Sequence, residues 1–374
     1  MTWRVIIMAG GTGGHIYPAM AVAECLEEMG CIVHWLGAER GMETELVDTE
    51  RFPLHTLATT AIRGGGLQRK LLAPLNLVKA VLQATKIIRQ VQPDILIGFG
   101  GYASGPGAVA GKIKGCPIFI HEQNAVPGLT NKWVAKWATK VIQAFPNTFA
   151  DDLKPITLGN PVRQSLVNAS ENENTGSSLK VLVMGGSSGA QILNEKMPEV
   201  LSVIPEELRP EVRHQAGKGK LAATQWAYDQ VNLAATAEEY IDDMASALAW
   251  ADLVICRSGA STISELAAAG QPAILVPYPW HKDRQQFHNA QVLAKKGGAW
   301  IVEQEKAGDN TQLVKAIAAH ITRLTKQPSE LQKVSARALA QAVPDSAKRV
   351  ALLAHKYLTQ QAGNLNHDTS TKTH

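Results

Sequence analysis

The sequence predicts an α/β protein built from two Rossmann-like domains, because two similar glycine-rich turns lie about half a chain apart. The apolar run at 4–8 ends in Ala9-Gly-Gly-Thr-Gly-Gly-His15, and the run at 179–184 ends in Gly185-Gly-Ser-Ser-Gly-Ala190. Glycine lets a backbone approach a ligand closely, and the helix that follows such a turn offers N–H groups to an anion. The two domains are therefore expected to face one ligand-binding cleft.

Short apolar runs and helical patterns alternate along the first half of the chain. Strands are predicted near residues 4–8, 32–36, 94–98, 117–120 and 140–144. Helices are predicted near residues 17–29, 75–91, 105–113 and 129–137. This alternation favours a parallel sheet covered by helices, with ligands at the carboxyl ends of the strands.

A polar stretch at 168–178 predicts a linker, and the second half then repeats the pattern. Its strands are predicted near residues 180–184, 211–215, 231–235, 252–256, 273–276 and 299–302. Its helices are predicted near residues 191–204, 310–324, 329–341 and 345–361. The polar end of the chain, residues 362–374, is expected to be disordered.

Several kinds of site are disfavoured by what the sequence lacks. The four cysteines are scattered without a C-x-x-C pair, and no two aspartates have the D-x-D spacing of a metal-dependent glycosyltransferase. Neither glycine turn fits a P-loop or the dinucleotide fingerprint, although Glu39 follows the second strand where a ribose-binding acid of a dehydrogenase would lie. We therefore expect a reduced cytosolic chain with no metal and no cofactor.

A basic segment follows an acidic beginning. Residues 63–140 contain eleven Lys or Arg against two acidic residues, whereas residues 1–62 are net acidic. At the start of this block, leucines are flanked by basic residues. We predict that the following residues contact an anionic membrane surface: Arg63, Leu67, Arg69, Lys70, Leu71, Leu72, Leu75 and Lys79. An ordinary amphipathic helix with solvated charges is the alternative. Nucleic acid is not expected as a partner, because aromatic residues are few and no binding module is recognisable.

The segment Val254-Ile-Cys-Arg-Ser-Gly-Ala-Ser-Thr-Ile-Ser-Glu265 points to a nucleotide. A strand ends at a turn of small residues, where Ser258, Ser261 or Thr262 can cap the following helix. Glu265 lies in the first turns of that helix, and a carboxylate can accept two hydrogen bonds from a sugar diol. A phosphate at the helix terminus and a ribose at Glu265 together describe a nucleotide.

Eight motifs in order give the chain a specific resemblance. They are GGTGGH at 10–15, GGYASGPG at 100–107, HEQN at 121–124, GNPVR at 159–163, GGSSGA at 185–190, IDDM at 241–244, RSGASTISE at 257–265 and HKDRQQ at 281–286. Over about residues 4–360 the sequence resembles the MurG family of bacterial peptidoglycan glycosyltransferases. One departure is the stretch Pro277-Tyr-Pro-Trp-His281, which is slightly longer than is usual in the family.

The resemblance implies a GT-B architecture. It implies an N-terminal domain over 1–162 that is completed by the helix at 345–361, and a C-terminal donor domain over 163–344. It also implies the reaction: GlcNAc moves with inversion from UDP-GlcNAc to the 4-hydroxyl of the muramyl sugar of lipid I, and lipid II is formed. The enzyme would work at the cytoplasmic face of the inner membrane as a peripheral protein.

The same resemblance implies the site residues. Ile241 would contact uracil, Glu265 the ribose, and Asn124 and Gln286 the GlcNAc hydroxyls. The remaining UDP-GlcNAc contacts would come from Thr12, Gly13, Gly14, Arg163, Ser187, Ser188, Gly189, Ala260, Ser261, Thr262, Ile263 and Ser264.

His15 is the favoured general base, since a helix N-terminus keeps an imidazole neutral and able to accept a proton. Glu122 and Tyr102 are the competing catalytic or acceptor-site residues, and a structural His15 that caps the turn is the alternative. Two other functions stay open at this point: a UDP-GlcNAc 2-epimerase, and a nucleotide-sugar-binding regulator without catalysis.

Overall fold

The computed structural model describes residues 2–58, 67–167, 178–186 and 188–370, with only the backbone described for 67–73 and 363–370. The chain divides into two compact units. The N-terminal unit comprises Met1–Val162 and Asp345–His374, and the C-terminal unit comprises Arg163–Pro344. Each unit contains one parallel sheet, which agrees with the predicted α/β class.

The N-terminal unit alternates strands and helices from its first residues. In chain order these are β1 (Arg4–Ala9), α1 (Gly13–Glu28), β2 (Ile32–Ala38), α2 (Glu43–Leu46), β3 (Leu54–Leu57), α3 (Leu67–Val91), β4 (Ile95–Gly100), α4 (Ser104–Ile113), β5 (Ile118–Glu122), α5 (Leu129–Val134), β6 (Lys140–Gln143) and β7 (Ile156–Thr157). The five predicted strands are confirmed. The short β3 and β7 were not predicted, because two to four residues between turns give no apolar periodicity.

The seven strands form one sheet in the order β3-β2-β1-β4-β5-β6-β7. Its centre is buried on both faces, so β1 and β4 are continuous apolar runs, and Ile7 of β1 pairs with Trp35 and Ile97 on either side. The strand order reverses beside β1, so the turns that follow β1 and β4 leave the sheet at its switch point. Ligands of such sheets bind at this edge, and the glycine-rich turns lie there.

The C-terminal unit has a second sheet in the order β10-β9-β8-β11-β12-β13. Its elements are β8 (Lys180–Met184), α6 (Gln191–Ser202), β9 (Glu211–Gln215), α7 (Leu221–Asp229), β10 (Thr236–Glu238), α8 (Met244–Trp250), β11 (Leu253–Cys256), α9 (Ala260–Ala269), β12 (Ala273–Leu275), α10 (Gln285–Ala294), β13 (Trp300–Ile301), α11 (Thr311–Lys326) and α12 (Ser329–Leu339). The predicted helix at 191–204 and those at 310–324 and 329–341 are confirmed as α6, α11 and α12.

One strand of this sheet was predicted in the wrong place. The apolar run at 231–235 does not form a strand, and β10 begins at Thr236. The backbone N–H of Leu233 donates to Tyr228 O at 3.2 Å and Asn232 has a φ of 51°, so these residues complete the end of α7. The apolar residues at 231–235, whose pattern predicted a strand, therefore belong to the turn that ends α7.

The last helix, α13 (Ser346–Ser370), belongs to the N-terminal unit. Its apolar residues Val350, Ala351, Ala354 and Leu358 are fully or almost fully buried in the same core as α1. The tail was expected to be disordered from residue 362, but the helix continues to Ser370. Extending a helix adds one backbone hydrogen bond for each residue that is fixed, so a packed helix can continue into a polar segment.

Candidate functional site

The glycine turn after β1 is held by a buried carboxylate that the sequence analysis missed. Glu43 of α2 has no exposed surface, and its Oε2 accepts the Gly11 N–H at 3.0 Å while its Oε1 accepts the Ala38 N–H at 2.6 Å. A Cβ at Gly10 or Gly41 would overlap this carboxylate. The conformation of the turn is therefore fixed by hydrogen bonds to Glu43 and by glycines that leave room for its carboxylate.

His15 projects from the first turn of α1, which begins at Gly13 rather than near residue 17 as predicted. The backbone N–H groups of His15 and Ile16 donate to Thr12 O, which draws the predicted ligand residues Gly13 and Gly14 into the helix. The His15 Nδ1 lies 3.2 Å from Gly10 O. A carbonyl can only accept, so this contact assigns the proton to Nδ1 and leaves the lone pair on Nε2.

The turn after β4 lies against the turn after β1. A Cβ at Gly100 would lie 3.1 Å from His15 Nε2, and a Cβ at Gly11 would lie 3.7 Å from the ring of Tyr102. Buried Ser104 fixes this second turn by donating to Met8 O at 2.8 Å. His15 and Tyr102, which the sequence analysis grouped as catalytic candidates, therefore belong to one edge of the sheet, and Tyr102 is 42% exposed.

Glu122 ends β5 and is 2% exposed. Its Oε1 accepts the backbone and side-chain N–H groups of Asn124, both at 3.0 Å. Its Oε2 accepts the Gly128 N–H at 3.0 Å and the Asn131 side chain at 2.9 Å. Four hydrogen bonds use the acceptor capacity of this carboxylate, so Glu122 holds the loop at 122–128 and orients Asn124.

His121 beside it is fully buried. Its Nε2 lies 3.0 Å from Gly159 O, and its Nδ1 lies 3.2 Å from the side-chain amide of Gln123. Burial lowers the pKa of His121 to about 4, so the ring is neutral and orients its neighbours.

In the C-terminal unit, the glycine turn after β8 passes close to another backbone segment. Gly189 has a φ of +67°, and a Cβ there would overlap Ala216 O. The neighbouring Ser188 is exposed, and its carbonyl accepts from Lys220 Nζ at 2.8 Å. Ser187 lies outside the described residues. The turn presents its backbone beside the start of α6, where an anion would meet helix N–H groups.

Helix α9 begins at Ala260 with Gly259 as its N-cap, and this residue has no side chain with which to cap the helix. The three predicted capping residues do not play that role. Ser258 is buried and donates instead to Gln286 O at 2.8 Å, while Ser261 and Thr262 are already inside the first turn. Ser261, Thr262, Ile263 and Ser264 follow this glycine cap, and backbone N–H groups at the start of such a helix can receive an external anion.

Glu265 lies on the second turn of α9, and its Oε1 is 3.4 Å from Arg163 Nη2. The Glu265 side chain is 19% exposed and that of Arg163 is 40% exposed. Burial raises the pKa of the Glu265 carboxyl, and the Arg163 guanidinium acts in the opposite direction. The pair holds a mostly buried carboxylate on the helix that follows β11, where it can accept hydrogen bonds from a ligand.

Two further predicted contacts lie near this edge. Ile241 is 3% exposed and precedes α8, so its side chain is packed in the unit rather than presented to solvent. Gln286 lies at the start of α10, and its Oε1 accepts the Tyr278 N–H at 2.9 Å. Most predicted donor residues of this unit therefore follow three adjacent strands, β8, β11 and β12, whereas Ile241 follows β10 and Arg163 precedes the sheet.

The predicted membrane segment is only partly described. Arg63 lies outside the described residues, and for Leu67, Arg69, Lys70, Leu71 and Leu72 only the backbone is described, as the start of α3. Leu75 is 67% exposed and Lys79 is also exposed. Among the described residues, no helix is both long and apolar enough to cross a membrane. The same residues contain no group of three His, Cys, Asp or Glu side chains that could hold a metal ion.

Sequence reasoning missed the residues that support these motifs from elsewhere in the chain. Glu43 and Ser104 lie outside the glycine turns that they fix, and Asn131 lies nine residues beyond its partner Glu122. The only available signal was that acidic or hydroxyl residues follow strands at these places. That signal is shared by many solvent-exposed loops.

Comparison with protein families gives two matches that together cover most of the chain. Residues 5–143 match the glycosyltransferase family 28 N-terminal domain, and residues 180–350 match its C-terminal domain.

Curated relatives match over nearly their full length. A UDP-N-acetylglucosamine–N-acetylmuramyl-(pentapeptide) pyrophosphoryl-undecaprenol N-acetylglucosamine transferase of Pseudomonas syringae pv. syringae is 46% identical over 351 residues, which cover 94% of this chain and 97% of the relative. A second protein of that name, from Pseudomonas fluorescens, is 46% identical over 348 residues and covers 93% of this chain and 96% of the relative.

A solved structure shows the same fold. The crystal structure of Acinetobacter baumannii MurG superposes with a TM-score of 0.78 at 35% identity, over 95% of this chain and 99% of that one. Two parallel-sheet α/β domains of this kind form the GT-B fold. On this identity, coverage and fold, the chain belongs to the MurG family of glycosyltransferases.

Proposed function

We propose that this chain transfers GlcNAc from UDP-GlcNAc to the 4-hydroxyl of the muramyl sugar of lipid I, with inversion, and so forms lipid II. The observation that supports it most strongly is the combination of Arg163 with Glu265 of helix α9, whose N-cap is the glycine Gly259. A diol-binding carboxylate next to an anion-binding helix end suits a nucleotide diphosphate sugar.

The C-terminal unit binds the donor in this proposal. The ribose hydroxyls donate to Glu265, whose pKa is raised by burial, and the Arg163 guanidinium favours the ionised carboxylate. Since the Ile241 side chain is buried, uracil meets the main chain there. Gln286 at the start of α10 holds a GlcNAc hydroxyl, and Asn124 of the N-terminal unit holds another.

Leaving-group charge is neutralised by the protein itself. Breaking the bond between the anomeric carbon and the diphosphate puts negative charge on UDP. The N–H groups at the start of α9 and at the turn of Ser188 and Gly189 can receive that charge, and Arg163 adds a fixed positive charge nearby.

His15 acts as the general base. The acceptor hydroxyl oxygen attacks the anomeric carbon on the face opposite UDP, and its proton passes to the Nε2 of His15. The Nδ1–H of His15 is engaged by Gly10 O at 3.2 Å, which fixes the tautomer that this step needs. Glu122 already accepts four hydrogen bonds, so its role in this proposal is to hold the loop at 122–128. The exposed Tyr102 contacts the acceptor.

The acceptor reaches the enzyme from an anionic membrane surface at the cytoplasmic face of the inner membrane. Leu75, Val78 and Leu82 of α3 are 67%, 58% and 65% exposed, and their spacing puts them on one face of the helix. Lys79 is exposed next to them. Together with the basic residues before them, these side chains suit the interfacial binding of a helix to lipid head groups.

The two alternative functions, epimerase and regulator, have less support. A UDP-GlcNAc 2-epimerase of Neisseria meningitidis superposes with a TM-score of 0.65 over 94% of this chain and 99% of that one, but at 11% identity the likeness concerns the fold alone. An epimerase would not need the apolar face of α3. A regulator without catalysis would not need a histidine whose tautomer is fixed.

One assay separates these functions. Purified protein is incubated with UDP-GlcNAc, with and without a soluble lipid I analogue and without added metal, and the products are separated by chromatography that resolves isomeric sugar nucleotides. A disaccharide product supports the proposal. Formation of UDP-N-acetylmannosamine without acceptor would identify an epimerase, and no turnover with either substrate would indicate a binding protein.

A further inference from the structure

A cavity of about 860 Å³ opens in the C-terminal unit next to the donor motifs. Gly185 and Gly189 of the turn after β8 line one side, and Gln286 of α10 lines another. Its volume lies in the range of roughly 300–1,000 Å³ that small-molecule sites occupy. The cavity is therefore large enough to hold a sugar with part of its diphosphate.

Three aromatic side chains form the remaining side, and we call Tyr278, Trp280 and His281 the aromatic wall. The ring centroid of Tyr278 lies 5.1 Å from that of Trp280 and 5.1 Å from that of His281. Tyr278 is 39% exposed and Trp280 is 49% exposed. Large aromatic surfaces left open beside a polar cavity are suited to receiving an apolar part of a ligand.

The donor motifs themselves hold the wall in place. The Arg257 Nη1 donates to Val276 O at 3.0 Å and to Pro277 O at 3.2 Å, and its guanidinium lies 5.5 Å from the Tyr278 ring centroid. The Gln286 side chain accepts the Tyr278 N–H at 2.9 Å. The backbone that carries the wall is thus fixed from β11 and from α10 before any ligand arrives.

The polarity of the cavity indicates which part of the donor meets the wall. The diphosphate belongs at the glycine turn, where Gly185 and Gly189 allow close approach and Lys220 adds positive charge to the lining. The wall itself consists of aromatic rings, and the Arg257 guanidinium beside it already donates to Val276 O, Pro277 O and the Gln304 side chain. An N-acetylhexosamine has two apolar parts, the C–H face of its ring and the methyl group of its acetamide, whereas glucose has only the first.

Resting on the proposed function, we propose that Tyr278 and Trp280 bind the acetamido methyl group and ring face of the donor sugar and so select an N-acetylhexosamine over a simple hexose. Trp280 places an aromatic ring at the rim of the sugar site, and that ring determines specificity without touching the reacting atoms.

Calorimetric titration of UDP, UDP-GlcNAc and UDP-glucose tests this inference. Wild type is compared with Trp280→Ala, Trp280→Phe and the control Trp226→Ala, which removes a 63% exposed tryptophan of α7 in the same unit. In Trp280→Ala the preference for UDP-GlcNAc over UDP-glucose should fall about tenfold, since one buried carbon group discriminates by roughly 10–200-fold. UDP affinity should stay within about threefold, and Trp280→Phe should retain most of the preference because an aromatic ring remains.

The outcomes separate this inference from the proposed function. If wild type does not bind UDP, the proposed function fails and this inference fails with it. If wild type binds UDP and prefers UDP-GlcNAc but Trp280→Ala keeps the preference, only the aromatic wall is refuted. Loss of UDP binding in Trp280→Ala, with a melting temperature equal to that of Trp226→Ala, would mean that Trp280 shapes the whole site, and would also refute selective binding of the sugar.

Discussion

Glu265→Gln should weaken UDP binding while making the unliganded protein more stable. The variant keeps the shape of the side chain but replaces an ionised acceptor of two hydrogen bonds with one neutral carbonyl oxygen. Hydrogen bonds to charged groups contribute about 1.5–3 kcal/mol, so the dissociation constant for UDP should rise by roughly 10–150-fold. Isothermal titration calorimetry at fixed salt measures this directly.

The stability of the same variant follows from the raised pKa of Glu265. A carboxyl whose pKa is raised on folding destabilises the folded state fully above its folded pKa, and this effect fades as the pH falls from the folded pKa to the lower unfolded pKa. Glu265→Gln should therefore melt above wild type at neutral pH, and the difference should close as the buffer is acidified. Arg163 loses its contact with the Glu265 carboxylate, but its side chain is 40% exposed and stays partly hydrated.

Glu238→Gln is the matched control, because Glu238 is also a partly buried glutamate of this unit and its Oε1 lies 2.9 Å from Arg213 Nη2. The control should leave UDP affinity unchanged. An unchanged affinity in Glu265→Gln would remove Glu265 from the ribose site. A lower melting temperature for Glu265→Gln than for wild type would show that the ion pair with Arg163 outweighs the desolvation of the carboxylate.

Three further outcomes are expected. His15→Ala should lower kcat by about 10²–10⁴-fold with nearly unchanged UDP-GlcNAc affinity; a collapse of donor affinity would instead make His15 a structural part of the turn. Turnover should persist in EDTA, and a requirement for magnesium at the chemical step would contradict charge stabilisation by helix termini. Charge reversal at Arg69 and Lys70, with Leu71 and Leu72 changed to Ser, should release the protein from anionic vesicles but spare UDP binding; co-sedimentation that persists in the variant or ignores salt would place the contact elsewhere.

The sequence predicted the sheets well because their central strands are buried on both faces. Runs such as Val5–Met8 and Leu253–Cys256 cannot alternate with polar residues, so they are visible without any structure. Edge strands such as β10 and β7 lack that signal, and their ends are decided by the turns beside them. The sequence did not show that α1 begins at Gly13, because two successive glycines disfavour a helix. The helix begins there because Thr12 O accepts the N–H groups of His15 and Ile16.

The candidate site was predictable only for residues that carry a motif of their own. Glu265 follows its strand within one continuous segment, so its role could be inferred from spacing. Glu43 is 32 residues from Gly11, and only the fold brings its carboxylate to that turn. The side-chain network of Glu122 was equally hidden, because an acid that accepts four hydrogen bonds cannot be distinguished in sequence from an acid that is free to act as a base.

The placement of α13 has a consequence for synthesis of the chain. The N-terminal unit is translated first, yet Val350, Ala351, Ala354 and Leu358 of its core are translated last. At about 5–20 residues per second, translation of the intervening C-terminal unit takes roughly 10–40 s, and during that time α1 lacks its packing partner on the ribosome. The C-terminal unit is one continuous segment, so all of its core residues are translated before α13. The order of maturation is therefore the reverse of the order of synthesis, and a nascent chain that stops before residue 345 would leave the N-terminal unit, not the C-terminal one, with an unfinished apolar core.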